Sequence, residues 1–151
     1  MRQSNLKTIK EGHQYFDDSM WIKFNLLIAQ NISLDAAILF GHLYNIESYL
    51  LKKKSIFYKS KDYWFICKRE HVQNKINMGF GRQKTAELEL EKIDFIETKL
   101  GQGKLKWFRI KWDIATKKRN EWYSKHIDDK RKERLDSLED DDEFDYEISE
   151  D

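Results

Sequence analysis

Apolar positions recur at spacings of three and four behind Ser33: Leu34, Ala37, Ile38, Leu39, Phe40, Leu43, Ile46 and Leu50. This period predicts a helix over about residues 34–51, capped by the serine hydroxyl. These side chains surround most of its circumference, so the helix belongs in the middle of a core. Lys52-Lys53-Lys54 ends the run and suits the negative end of the helix dipole. Ile56-Phe57-Tyr58 and Tyr63-Trp64-Phe65-Ile66 are aromatic and β-branched, which predicts extended segments. Residues 68–76 fit a short helix with Val72 and Ile76 four apart. Asn77-Met78-Gly79-Phe80-Gly81 reads as a turn in which two glycines and an asparagine supply a permissive backbone. A second helix follows over about 81–93, with Ala86, Leu90 and Ile93 as its buried stripe. Residues 95–100 read as a strand and Gly101-Gln102-Gly103-Lys104 as a hairpin turn. The chain returns over 105–113, with Phe108, Ile110 and Trp112 alternating against Trp107, Arg109 and Lys111.

Outside this central stretch the pattern weakens. Residues 1–19 are polar without a sustained period and read as a flexible basic arm. Met20 to Phe24 is β-prone and leads into the apolar cluster Leu26-Leu27-Ile28. A polar helix is expected over 116–139, anchored only by Trp122, Ile127, Leu135 and Leu138. Residues 140–151 offer nothing to offset the entropy of ordering and are expected to be disordered. The resulting division is an arm (1–19), a domain (20–115), a helix (116–139) and an acidic tail (140–151).

Charge sharpens the division. The net formal charge is only +1, yet residues 133–151 hold eleven carboxylates against Arg134 and carry −10. The remaining residues carry +11, with 27 basic and 16 acidic side chains. A basic body with an acidic tail is a charge asymmetry common among nucleic-acid binders, and also serves plain solubility. No apolar run approaches a membrane span and the first residues lack a signal-peptide core, so the cytoplasm is expected and no membrane partner. The single cysteine, Cys67, excludes an intramolecular disulfide framework.

The order of core helix, short strand, helix, glycine turn, helix and hairpin predicts an α+β fold, a winged helix-turn-helix. At this point the chain resembles a known family. Trp21-Ile22-Lys23-Phe24, the run Leu34-Asp35-Ala36-Ala37-Ile38-Leu39-Phe40-Gly41-His42-Leu43-Tyr44 and Tyr63-Trp64-Phe65 with Arg69-Glu70 carry the likeness. So do Gln83 with Ala86, the run from Leu90 to Glu97, and Phe108-Arg109-Ile110. These stretches look like the N-terminal winged-helix domain of phage and plasmid replication initiators (replisome organisers) of Gram-positive bacteria. The likeness covers about residues 20–113, without the helicase- or loader-contacting region of full-length members. It implies double-stranded DNA as partner. Two positions depart from the pattern. Gly79 stands where members often carry a Ser or Thr cap, and Glu87, Glu89 and Glu91 would repel phosphate along the back half of the second helix.

On that second helix, Gly81, Arg82, Lys84 and Thr85 form the candidate reading face. The two cations read either as solvated charge or as contacts to phosphate and guanine edges. Leu88 is expected to pack beneath a neighbouring element. Lys99, Lys104, Lys106, Arg109 and Lys111, with Trp107 among them, make the hairpin a candidate phosphate-tracking wing; a charged hairpin also protects an edge strand. No nucleotide-binding loop, zinc-protease pair or other catalytic motif is present, and His13, His42, His71 and His126 are scattered. No enzyme activity, cofactor or metal is expected. Trp122 and Leu135 suggest a homodimer through residues 116–139. The alternative function is a phage-encoded inhibitor on the same scaffold. It would bind a host replication factor or a defence nuclease, as anti-CRISPR proteins do, through the three glutamates, Trp107 and the acidic tail.

Overall fold

The computed structural model describes residues 2–17 and 22–139. They form seven α-helices: α1 (Arg2–Asp17), α2 (Leu26–Asn31), α3 (Leu34–Lys52), α4 (Ile56–Ser60), α5 (Arg69–Ile76), α6 (Phe80–Lys92) and α7 (Trp112–Glu139). Three strands, β1 (Phe65–Ile66), β2 (Ile96–Leu100) and β3 (Lys106–Ile110), make one antiparallel sheet in the order β1-β3-β2. A 3-10 turn over Gln102–Lys104 closes the hairpin. The class is α+β, and the order of elements is compatible with a winged helix.

Helix α3 forms where the apolar period places it. Ser33 Oγ accepts the Ala36 N–H at 3.0 Å, and Ala36, Ala37, Leu39, Phe40 and Leu43 are buried. Phe95, Phe108, Met78, Leu90 and Ile96 close over them to complete the core. Gly41 is needed on this helix because Lys23 O lies 3.0 Å from where a Cβ would stand, so a side chain there would push the 22–25 segment away. In the sheet, Phe65 lies opposite Phe108 and Thr98 opposite Phe108 on the inner face. Ile66, Trp107 and Lys99 form the next row, on the outer face.

The α5–α6 turn is held by one side chain. Buried Gln83 donates through Nε2 to Met78 O at 2.8 Å and to Arg69 O at 2.9 Å, fastening the first turn of α6 to the turn before it and to the start of α5. Within this turn only Asn77 takes the left-handed region (φ 53°). Gly79 caps α6 at φ −66° without a side-chain bond, so the glycines do not supply the permissive backbone assigned to them.

Several expectations are corrected. Residues 2–17 are helical, although no apolar period announced it; Lys7 and Glu11 sit one turn apart at 4.0 Å. Residues 22–25 take no regular structure, and Leu26-Leu27-Ile28 opens α2 behind Asn25, whose side chain accepts the Ile28 N–H at 3.1 Å. Ile56-Phe57-Tyr58 is helical, because Ser55 Oγ accepts the Tyr58 N–H at 3.1 Å and starts a turn that outweighs the β-prone rings. The returning strand stops at Ile110, and α7 begins at Trp112, whose indole N–H donates to Glu47 Oε1 at 2.6 Å. Trp122 packs its ring 5.6 Å from that of Phe95, so one of the two anchors assigned to a homodimer is used within the chain. Leu135 and Leu138 remain 63% and 62% exposed. The expected disorder of 140–151, and Met20-Trp21 of the β-prone stretch, lie outside the described residues.

Two outcomes follow from this packing. Gln83→Leu keeps the volume but strands two carbonyl oxygens, one of them beside the buried Met78, and should cost about 1–3 kcal/mol in denaturant unfolding. His42 is the buried side chain among the described residues whose Nε2 has no hydrogen-bond partner. Burial, then His71 and Lys75, push its pKa from 6.5 down to about 4. The unfolded chain therefore takes up the proton first. The His42 contribution is complete above pH 6.5 and is lost between there and about 4. The slope should be at most about 1.4 kcal/mol per pH unit. His42→Gln should flatten that part of the stability profile, and an unchanged slope would show His42 to be solvated.

Candidate nucleic-acid interface

Helix α6 packs its inner stripe on α3 and leaves its first two turns facing outward. Gly81, Arg82, Lys84 and Thr85 are all exposed there, as the period required. An open groove of about 920 Å³ separates this helix from the β2–β3 hairpin. Six cations line it: Lys68, Arg69, Lys84, Lys99, Lys104 and Lys106. Three carboxylates, Glu70, Glu87 and Glu91, stand against them. Phe80 and Leu88 lie along the helix side of the groove, and Leu88 is 56% exposed, not packed beneath a neighbour.

The carboxylates of α6 are spent inside the molecule. Glu87 is 3% exposed and paired with Lys106 of β3. Glu89 accepts the Ser33 hydroxyl at 3.1 Å, which ties α6 to the cap of α3. Glu91 accepts the Thr98 hydroxyl at 2.7 Å. The three glutamates therefore hold α6 to its neighbours, but of their bonds only that of Glu87 is to a cation; Glu89 and Glu91 are half-buried and bonded to neutral hydroxyls, and Glu91 lines the groove, so part of the repulsion expected along the back half remains. The same contacts take Glu87 out of the surface that an acidic mimic would present and leave Glu89 and Glu91 half-buried.

Most of the cations assigned to DNA are also engaged. Arg82 makes a two-pronged bond to Asp35, at 2.6 and 3.0 Å, and holds that carboxyl below its usual range. Arg109 bonds Asp62 at 3.0 Å and Glu97 at 2.8 Å. Lys111 pairs with Asp94 at 2.8 Å at the far end of the hairpin, which raises its pKa. Thr85 donates to Gly81 O one turn back at 3.1 Å. Lys84, Lys99 and Lys104 have no carboxylate partner among the described residues, and neither do Lys68 and Arg69, which pattern reading left out. Their signal was available: two adjacent cations at the start of a predicted helix.

The sheet divides the hairpin residues between two sides. Lys106 faces α6, whereas Lys99, Trp107 and Arg109 lie on the outer face. Trp107 is half-buried there. Its ring stands 6.0 Å from that of Phe57, and its indole edge occupies the space a Cβ at position 101 would need, so only glycine fits that turn. The hairpin is thus not one continuous phosphate-tracking surface. Its groove side is carried by Lys104, Lys106 and the edge residue Lys99.

Burial pushes the Cys67 thiol up to about 12, so it does not ionise near neutrality. Among the described residues no three His, Cys, Asp or Glu side chains group as a metal site would require, and no helix is long and apolar enough to cross a membrane.

The buried pair yields a direct test. Lys106→Met leaves Glu87 charged and unpartnered under the hairpin and should cost about 3 kcal/mol or more. Adding Glu87→Gln should recover most of that loss. Thermal unfolding of the two single variants and the double measures the coupling, and additive effects would show the pair to be incidental.

No protein-family model, curated protein or solved structure matches the chain.

Proposed function

We propose that the protein is a winged-helix binder of double-stranded DNA of phage or mobile-element type, acting in replication initiation or transcriptional control. The observation that carries this reading is the groove between α6 and the hairpin. Among the described residues five of its cations are without a carboxylate partner, and the carboxylates of its helix wall are tied to neighbouring elements. The first turns of α6 enter the major groove, where exposed Lys84 and Thr85 reach base edges. Lys104 and Lys99 at the hairpin tip meet the flanking phosphate backbone, and Lys68 and Arg69 at the start of α5 meet phosphate on the other side. Arg82 acts through Asp35, setting the angle between α3 and α6, and contributes less to DNA than its position in the sequence suggests.

The resemblance to replication initiators supports the same assignment, through Gln83 and Ala86, which build the turn and the inner stripe of the second helix. The inhibitor reading is weakened at one point, since Glu87, one of its three glutamates, is buried against Lys106.

Fluorescence anisotropy with a labelled duplex at about 50 and about 200 mM salt tests the reading. Binding should weaken steeply with salt. Lys84→Ala and Lys104→Ala, with the fold intact by circular dichroism, should each lower affinity, and each lost phosphate contact should reduce the salt slope by about 0.9. A base-edge contact from Lys84 should instead cost about 1–3 kcal/mol on specific sequence with little change in slope. Duplex affinity unaltered in both variants would remove the groove from the interface.

A further inference from the structure

Apart from the shared edge residue Lys99, the outer face of the sheet carries chemistry that the groove does not use. Trp64, just before β1, reaches across the sheet so that Lys99 Nζ of β2 lies 4.2 Å from its ring centre. The Arg109 guanidinium of β3 lies 4.8 Å from the same centre. Beside it Trp107 and Phe57 stand with ring centres 6.0 Å apart, tilted by 36°. Lys61 Nζ lies 5.6 Å from the Phe57 ring centre. Phe57 is 56% exposed, and both tryptophans are half-buried.

From this arrangement we infer that the outer face, built on Trp64, Trp107 and Phe57 with Lys61 and Lys99, is a second nucleic-acid surface, which binds single strands. Two features select that occupant. Aromatic side chains on a face stack with bases only when those bases are unpaired, since a duplex hides its base faces and presents groove edges. The charges on this face favour a polyanion: Lys61, Lys99 and Arg109 stand against Asp62 and Glu97, a balance of +1, and both carboxylates are bonded to Arg109. Lys61 and Lys99 have no carboxylate partner among the described residues. A protein surface would as readily meet the rings but would leave those lysines uncompensated. The inference goes beyond duplex binding through α6, and the two faces meet only at Lys99, on the edge strand.

The test uses the full chain and two labelled probes, an oligothymidylate of about 12 nucleotides and a duplex, each followed by anisotropy at low salt. Wild type should bind both. Trp64→Ala should weaken oligothymidylate binding roughly tenfold or more while changing duplex affinity by less than about twofold. Lys61→Glu, an exposed position that leaves the rings in place, should weaken the single strand severalfold and spare the duplex. Lys84→Ala should do the reverse. Wild type that binds duplex but not oligothymidylate overturns the inference and leaves the duplex reading standing. Oligothymidylate binding without duplex binding does the opposite. Equal loss of the single strand in Lys84→Ala, with Trp64→Ala and Lys61→Glu unaffected, overturns it too, because the strand would then lie in the groove. If neither probe binds, both readings fall.

Discussion

The pairing of Glu87 with Lys106 is the constraint on which the arrangement of α6 and the hairpin rests. A carboxylate that is 3% exposed is costly to desolvate, and it is tolerable only with a cation held against it. Among the described residues the group supplied is the Lys106 ammonium of β3. Strand and helix are thereby fixed at one separation, and the groove between them takes its shape from that bond. Thr98 to Glu91 repeats the link further along, and Ser33 to Glu89 joins the other side of α6 to the start of α3. Gln83 completes the set by fastening the helix start to the preceding turn. Helix α6 is thus held by polar contacts along much of its length, in addition to Ala86 and Leu90 in the core.

How much of this was legible in the sequence depended on distance along the chain. Helices α3, α5 and α6 and the hairpin were visible because a period of 3.6 or 2 is a local property, and their bounds moved by a residue or two, except that the returning strand ends three residues early, at Ile110. The α4 segment was misread because a short aromatic run carries no period of its own, and the decisive signal was one capping serine. Helix α1 escaped because a polar helix shows no stripe. The candidate site was legible as a location and less so in its details. Gly81, Lys84, Thr85 and Lys104 stand exposed where the pattern put them. Arg82, Lys106 and Arg109 turned out to be partly committed elsewhere, to carboxylates 47, 19 and 12 or more positions away. No spacing rule within one element reveals partners of that kind; they appear only when the sheet order is known.

The same limit explains the outer face. Trp64, Lys99 and Arg109 come from three separate places in the chain, and only the register of Lys99 opposite Trp107 brings them to one side. A cluster of cations around a tryptophan therefore looked like one surface in sequence and is two in space. Parity along a strand divided them, sending Lys106 toward α6 and its neighbours outward.

Helix α7 has a consequence for the molecule as a whole. Its 28 residues span about 42 Å, and Trp122, which packs on Phe95, lies near its start. The 17 residues beyond carry the helix about 25 Å farther, to Glu139. Five cations there, Lys125, Lys130, Arg131, Lys132 and Arg134, are matched by five carboxylates, Asp128, Asp129, Glu133, Asp136 and Glu139, so this stretch of helix has no net charge. It adds reach without drawing the body toward a polyanion or holding it off, and the long-range field that steers an approach is left to the residues it extends from.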